Sequence, residues 1–223
     1  MERSSLGIVI PAFNEAHTIA NVVDLCNVYG RTIVVDDGSR DATGDKAGAA
    51  GADVVRHGVN KGYDAALESG FQQAAVLGCK YVITIDADGQ HDPTMLAKFC
   101  SLLDAGADIV IGYRNKRPRL AELCFALLTQ FLYGVKDPLC GLKAYRMSLY
   151  EKLGHFDSYN SIGTELALFA VRNGFLMEQV PISVRKRMDS PRFGRRLYAN
   201  YKIFRAMLLS FTHMKRLDTI AKH

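Results

Sequence analysis

The chain lacks any hydrophobic run long enough to cross a membrane. A membrane-spanning helix requires about 18–20 consecutive apolar residues, and none of the apolar stretches of this 223-residue sequence approaches that length. Charged residues lie within the first three positions, before a short apolar segment, so we expect no signal peptide. Any membrane association is therefore predicted to be peripheral.

The sequence also lacks the spacing of a zinc knuckle or a redox motif. Its cysteines are odd in number, no two of them are suitably spaced, and its six histidines are scattered. This pattern predicts reduced thiols in the cytoplasm and makes a zinc site improbable. The cysteines are Cys26, Cys79, Cys100, Cys124 and Cys140.

Two phosphate-binding signatures are missing as well. There is no Walker loop, and no G-x-G-x-x-G follows the first apolar segment. These absences argue against a kinase-like phosphoryl transferase and against a dinucleotide-dependent dehydrogenase. We also find no recognisable nucleic-acid-binding module.

Positive charge is concentrated at the C-terminal end. Residues 180–223 carry eleven Lys or Arg and two Asp or Glu, a balance of +9, whereas the remainder carries a balance of −4. A basic tail on a mildly acidic body indicates an anionic partner: nucleic acid, a phosphate-bearing substrate or an anionic membrane surface.

What is present is an alternation of short β-branched runs and helical stretches, which predicts βαβ units in a mainly parallel, doubly wound sheet. The length suits one α/β domain with helices on both faces of that sheet. The predicted strands are Gly7–Ile10, Thr32–Val35, Asp53–Arg56, Tyr81–Ile85 and Asp108–Ile111, and the predicted helices lie near Glu15–Tyr29, Ala42–Ala50, Gly62–Leu77 and Pro93–Ala105.

The pattern changes after residue 113. A basic loop around Pro118 leads to an apolar helix, Leu120–Tyr133, and strands are expected at Leu142–Arg146 and Met177–Val184 around a helix near Gly163–Asn173. We place the main domain at residues 1–194. Residues 195–223 form a basic amphipathic helix, part of the domain or packed on it.

One apolar stripe runs along that last helix, at steps of four and three. We interpret it as core packing, with an interfacial membrane helix as the alternative. Its members are Leu197, Tyr201, Phe204, Leu208 and Phe211.

Polar side chains follow four of the predicted strands. The most informative group is Asp86-Ala-Asp88-Gly-Gln90, after the fourth strand, and the others begin at Pro11, Asp36 and Gly112. The carboxyl ends of parallel strands share one edge of a sheet, where open α/β folds bind ligands. The sequence therefore predicts an acid-lined crevice there. A phosphate-bearing ligand over it would need a divalent cation, and Asp88 and Gln90 offer the oxygen ligands that Mg²⁺ or Mn²⁺ prefers.

These motifs, in this order, resemble the inverting nucleotide-sugar glycosyltransferases of GT-A fold (glycosyltransferase family 2). The similarity is strongest to their polyprenyl- or dolichyl-phosphate mannose or glucose synthase branch, and it covers roughly residues 6 to 195. The motifs are Ile8–Glu15, Val34–Asp41, Asn60–Gly62, Asp86–Pro93 and Asp137–Gly141.

The resemblance implies roles for matching positions. A nucleotide sugar would bind near its nucleoside through Pro11, Phe13, Glu15 and Asp37, and near its diphosphate through Asp86, Asp88, Gln90 and Arg114. Arg187 and Arg192 match basic residues that follow a strand of the family and would also bind the nucleotide sugar. The Mg²⁺ or Mn²⁺ ion would lie at Asp86, Asp88 and Gln90. Asp88, Arg114 and Glu165 are the predicted catalytic residues.

Two departures affect the acceptor side. Cys140 replaces a serine whose hydroxyl could contact a phosphate, and Ser190–Gly194 replaces the usual Gly-x-Ser-Lys. In addition, Leu166 stands where relatives that glycosylate hydroxyls carry an aspartate base. A phosphate monoester is already ionised near neutral pH and needs no base. The missing aspartate therefore points to a polyprenyl-phosphate acceptor; Glu165 is either a base or a helix N-terminal carboxylate.

The expected function is metal-dependent hexose transfer, with inversion, from a nucleotide sugar to a polyprenyl phosphate. A membrane surface, a membrane-protein anchor and a homodimer partner are all compatible with it. The alternatives are a transferase with a soluble sugar or protein acceptor and a non-catalytic nucleotide-sugar-binding protein. GDP-mannose, UDP-glucose and UDP-N-acetylglucosamine all stay open as donors.

Overall fold

The structure is a computed structural model that describes residues 2–115, 119–184 and 196–220. Seven strands form one sheet in the order β3-β2-β1-β4-β6-β5-β7. All neighbouring strands run parallel except β6, which is antiparallel to β4 and β5. The strands are β1 Leu6–Ala12, β2 Arg31–Asp36, β3 Asp53–Arg56, β4 Tyr81–Thr84, β5 Ile109–Arg114, β6 Lys143–Arg146 and β7 Met177–Ile182.

Helices cover both faces of this sheet. They are α1 Ile19–Cys26, α2 Thr43–Ala49, α3 Tyr63–Val76, α4 Leu96–Asp104, α5 Leu120–Tyr133, α6 Met147–Leu153, α7 Glu165–Arg172 and α8 Arg196–Ile220, with short 3₁₀ turns at Arg3–Ser5 and Pro93–Met95. The predicted α/β domain with a mainly parallel sheet is confirmed. The first predicted helix is shorter than expected, and α6 was not predicted.

Alternate residues of the strands feed two separate cores, because successive side chains of a strand point to opposite faces. On β1, Ile8 and Ile10 join one core with Phe99 of α4, whereas Val9 joins the other with Phe71 of α3 and Phe125 of α5. The central strands are buried on both faces, which explains their uninterrupted apolar sequences.

The long helix α8 packs beside α5 through a face that the sequence did not predict. Among the side chains described for residues 198–212, the buried ones are Ala199, Ile203, Ala206 and Ser210. The ring of Phe211 stacks on Tyr133 at a centroid distance of 6.3 Å. Core packing is therefore wrong for two members of the predicted stripe, since Tyr201 and Leu208 are each 63% exposed. The small residues of α8 face the domain because they allow close approach to α5.

No helix within the described ranges is long and apolar enough to span a membrane.

Candidate functional site

The predicted polar strand ends meet at one edge of the sheet. Strands β1, β2, β4 and β5 are all oriented with their carboxyl ends toward this edge, and the antiparallel β6 begins there. The sheet topology thus brings together the segments that follow Pro11, Asp36, Asp86 and Gly112. The resulting crevice is the candidate site.

Hydrogen bonds join the loops that follow β1 and β2. The backbone amide of Asn14 donates to Ser39 Oγ at 2.8 Å, and the side-chain Oδ1 of Asn14 accepts from the backbone amide of Arg40 at 2.7 Å. The Glu15 amide donates to Thr43 Oγ1 at 2.8 Å. Of the predicted nucleoside-binding residues on β1 and its loop, Pro11 and Phe13 are half-buried and Glu15 is buried. These contacts tie the loop after β1 to the loop after β2 at the candidate site.

The carboxylate of Asp37 is buried and anchors a third loop. His57 Nδ1 lies 2.7 Å from Oδ1, and the amides of Lys61 and Gly62 donate to the two carboxylate oxygens at 2.8 Å each. In this structure the side chain therefore positions residues 57–62 around the crevice. Direct contact of Asp37 with a nucleoside stays a prediction.

Asp86 lies between two side chains that the sequence analysis did not assign. Its Oδ2 is 3.2 Å from His91 Nε2, and its Oδ1 accepts from the Tyr63 hydroxyl at 3.4 Å. Burial acts to raise the pKa of Asp86, but the hydrogen bond from His91 and the nearby positive charges outweigh it and lower the pKa below its usual value. The Asp86 carboxylate is thus ionised at neutral pH.

The position of the Asp86 carboxylate depends on Gly141, in the loop that precedes β6. A Cβ added at Gly141 would lie only 2.6 Å from Asp86 Oδ1 and closer still to Oδ2. Any larger residue would displace the carboxylate, which explains why the chain has glycine there.

Asp86, Asp88 and Gln90 share one loop, and their oxygens suit a hard cation. The backbone amide of Gln90 donates to Asp88 Oδ1 at 3.0 Å, and this bond shapes the turn. In the ranges that the structure describes, no group of three or more His, Cys, Asp or Glu is placed to hold a metal by itself. Magnesium and manganese sites often use one or two carboxylates and complete their coordination with substrate phosphates and water. The donor set fits that arrangement.

Arg114, at the end of β5, is held by two buried carboxylates. Its Nε and one terminal nitrogen donate to Asp137 at 2.8 and 3.1 Å, and a terminal nitrogen lies 3.5 Å from Glu122 Oε2. Burial would lower the pKa of this guanidinium, but its bonds to Asp137 raise it. Bidentate pairing fixes the plane of the guanidinium, so that Arg114 is a rigid cation beside the crevice.

Glu165, at the start of α7, lies in a buried network of hydrogen bonds. Its carboxylate accepts from the Ser158 amide and hydroxyl at 2.5 and 2.8 Å, and His155 Nε2 lies at 3.0 Å. The neighbouring Leu166 is completely buried. These contacts favour the structural interpretation of Glu165, although its catalytic role stays a prediction.

Three further expectations have different outcomes. Arg187, Arg192 and the whole of Ser190–Gly194 lie outside the described residues, as do Lys116–Pro118 of the basic loop. Cys140 is buried, with its Sγ 3.7 Å from the Leu142 carbonyl, and burial raises its pKa to about 12. The effect of the serine-to-cysteine departure on a phosphate contact stays a prediction.

Lys143 is an important residue that the sequence analysis missed. It lies on β6, is buried, and donates from Nζ to the Gly163 carbonyl at 2.8 Å. Burial lowers the pKa of its ammonium, against the neighbouring charges of Asp86 and Asp64. Lys143 is the first residue of the four-residue strand β6, and its burial gives no periodic signal in the sequence. His91 belongs to the Asp86–Pro93 motif and was open to assignment.

An α/β sheet with a carboxylate loop after β4 and a fixed arginine at the same edge matches what the resemblance to the GT-A glycosyltransferases implied for this chain. The family model named "Glycosyl transferase family 2" matches residues 7–154. The chain belongs to this family and is a glycosyltransferase.

Two relatives and one solved structure show the similarity. The polyprenol monophosphomannose synthase of Mycolicibacterium smegmatis is 31% identical over 205 residues, covering 81% of this chain and 77% of the relative. The dolichyl-phosphate hexose transferase of Haloferax volcanii is 32% identical over 197 residues, covering 82% and 83%. Glucosyl-3-phosphoglycerate synthase of Mycobacterium tuberculosis, solved with Mn²⁺ and UDP-glucose, superposes with a TM-score of 0.74 at 27% identity, covering 92% of this chain and 78% of that one.

Proposed function

We propose that this glycosyltransferase moves a hexose from a nucleotide-diphosphate sugar to a polyprenyl phosphate, with inversion and with the help of Mg²⁺ or Mn²⁺. One observation carries the choice of acceptor. At the start of α7, Leu166 is completely buried and the carboxylate of Glu165 accepts hydrogen bonds from Ser158 and lies beside His155. A hydroxyl acceptor needs a general base near the reacting carbon, whereas a phosphate monoester arrives ionised.

The reaction would be one in-line displacement. An oxygen of the acceptor phosphate attacks the anomeric carbon as the bond from that carbon to the nucleoside diphosphate breaks, so that the configuration inverts. The cation, held by Asp86, Asp88 and Gln90, would neutralise charge on the leaving diphosphate. Arg114, held rigid by Asp137, would supply a second positive charge at the same place.

Relatives support this assignment. The Mycolicibacterium smegmatis relative is named as a polyprenol monophosphomannose synthase, and the Haloferax volcanii relative as a dolichyl-phosphate hexose transferase. The UDP-glucose and Mn²⁺ in the solved structure support a nucleotide-sugar donor and a divalent cation. Because a polyprenyl chain stays in a bilayer, the proposed function places the enzyme at a membrane surface, on the cytoplasmic side, with a membrane-protein anchor or a homodimer as further expectations.

A soluble phosphorylated acceptor is the second candidate. It is favoured by the structural similarity to glucosyl-3-phosphoglycerate synthase, which extends over 92% of this chain. This candidate shares the donor site and differs only in the acceptor. A panel containing both polyprenyl phosphates and 3-phosphoglycerate distinguishes the two.

Asp88→Ala tests the donor and metal assignment. We expect metal-dependent transfer to fall at least about a hundredfold, because charge stabilisation of the leaving group is lost, while the thermal midpoint stays close to that of the wild type. Transfer is measured with radiolabelled nucleotide sugars and polyprenyl phosphate in detergent.

Asp92→Ala is the matched control for Asp88→Ala. Asp92 is a carboxylate of the same loop, but it caps the following 3₁₀ turn by accepting from the Thr94 amide at 3.0 Å. This variant should keep its metal dependence. Near-normal turnover in Asp88→Ala would remove Asp88 from the mechanism.

A further inference from the structure

Helix α5 carries large apolar side chains on its solvent-facing side as well as on its buried side. Its inner face, which includes Phe125 and Ala126, is buried in the core. Its outer face carries four large apolar side chains one turn or so apart. We call these residues, Leu120, Leu123, Leu127 and Phe131, the outer α5 stripe; Leu120, Leu127 and Phe131 are 67, 61 and 85% exposed.

The stripe continues into a groove between α5 and α8. This open groove has a volume of about 440 Å³ and is lined by Cys124, Leu127, Leu128, Phe131 and Met207. Leu208, next to Met207, is itself largely exposed. A soluble monomer rarely presents a contiguous apolar surface of this kind, and such a surface marks an interaction site. Within residues 2–115, 119–184 and 196–220, nothing covers the outer face of Phe131.

Basic side chains lie on the exposed part of α8. Lys202 is exposed, and Arg205 is exposed as well, although its guanidinium donates to the Tyr159 carbonyl at 3.0 Å. Both belong to a C-terminal region whose sequence has a charge balance of +9, while the rest of the chain is at −4. Apolar residues next to lysine and arginine on a helix surface are the features that bind the interface of an anionic bilayer. A protein partner would need no such excess of one charge.

The stripe also begins at the candidate site. Glu122, the neighbour of Leu123 on α5, faces inward and lies 3.5 Å from the Arg114 guanidinium and 2.7 Å from that of Arg119. One helix therefore contacts the arginine of the crevice with its inner face and presents apolar side chains on its outer face.

From these observations we infer that the outer α5 stripe and the α5–α8 groove dock the protein on an anionic lipid bilayer. The inference deepens the proposed function, on which it rests for its biological role. Leu127 and Phe131 would enter the acyl region, Lys202 would contact anionic headgroups, and Arg114 would be held near the membrane surface, where the phosphate of a polyprenyl lipid lies.

The test is flotation of the full chain with vesicles of phosphatidylcholine, with and without phosphatidylglycerol, in the absence of any substrate. Wild-type protein should float with the anionic vesicles. Leu127→Asp and Phe131→Asp should each weaken binding by about tenfold or more, since each removes an apolar side chain that the bilayer would bury. Lys202→Glu should reduce the part of the binding that depends on phosphatidylglycerol.

Val76→Asp is the matched control. Val76 is 80% exposed at the end of α3 and does not line the groove, so this variant should float as the wild type does. All four replaced residues are exposed, and unchanged thermal midpoints will show that the variants are folded.

Two results would overturn the inference. One is equal flotation, or none, for the wild type and both aspartate variants. The other is a wild-type dimer in light scattering that Leu127→Asp converts to a monomer without any lipid binding, since the stripe would then bind a second copy of the chain. Transfer to polyprenyl phosphate in detergent is measured separately, so that failure of the docking surface and failure of the proposed acceptor give different results.

Discussion

Glu165 is the residue whose predicted role the structure makes easiest to test. Glu165→Gln should lower stability by about 1–3 kcal/mol, because an amide nitrogen would replace a carboxylate oxygen that now accepts from the Ser158 amide. Turnover per folded molecule should stay within about threefold of the wild type, since a phosphate acceptor needs no base. Transfer rates normalised to the folded fraction provide the measurement.

A general base behaves differently. If Glu165 removed a proton from a hydroxyl acceptor, its amide variant would lose about a hundredfold or more in rate. Such a loss in a folded sample would restore Glu165 to the catalytic residues and would favour a soluble or protein hydroxyl acceptor.

Asp64 makes stability depend on pH in an unusual direction. It accepts from the Gly163 and Ile162 amides at 2.6 and 3.2 Å, yet burial, together with the charge of Asp157, raises its pKa to about 6. The folded state therefore binds a proton more tightly than the unfolded state does. By linkage, the stabilising contribution of Asp64 is complete below about pH 4 and is lost as the pH rises through about 6.

Asp64→Asn should remove that dependence. The free energy of unfolding of the wild type, relative to the variant, should fall by up to about 3 kcal/mol between pH 4 and pH 7. Urea unfolding at half-unit pH intervals measures it. The effects of the other carboxylates on stability cancel in this difference, because both proteins contain them. A difference that stays constant over this range would show that the pKa of Asp64 is not raised.

At the scale of elements, α5 and α8 show what a sequence can and cannot predict. The bounds of α5 were predicted as Leu120–Tyr133 because this segment is rich in apolar residues, and in the structure Gly134 ends the helix with a left-handed φ of 71°. The existence of α8 was predicted as well. Its buried face was not, because two alanines and a serine are among its buried residues, whereas Tyr201 and Leu208 of the predicted stripe are largely exposed. Periodicity identifies an apolar stripe but not which surface covers it.

The candidate site, too, could be predicted only in part from the sequence. The strand-end motifs predicted which loops meet, because parallel strands place their carboxyl ends at one edge. The internal partners of those loops could not be predicted. His57 reaches Asp37 and Asp137 reaches Arg114 across separations of 20 and 23 residues, and pairings at such distances depend on the packing of the whole sheet.

At the scale of the whole molecule, hydrogen bonds join the loops of the candidate site to one another. The loop after β1 is tied to the loop after β2 through Ser39 and to the loop after β4 through the bond from Thr18 Oγ1 to the Ala87 carbonyl, at 2.7 Å. A ligand that binds across these loops adds its binding free energy to the stability of the entire domain.

A thermal-shift panel of GDP, UDP and their sugars with Mn²⁺ therefore tests the whole arrangement. The cognate nucleotide at a hundred times its Kd should add about 2.7 kcal/mol of stability, which for a chain of this size corresponds to a rise in Tm of roughly 5–10 °C. EDTA should abolish most of this rise, because the diphosphate and the carboxylates of Asp86 and Asp88 repel one another without a cation. An equal rise in EDTA would mean that the nucleotide binds without the cation, whereas no rise with any nucleotide, in a folded sample, would mean that the crevice does not hold this class of donor.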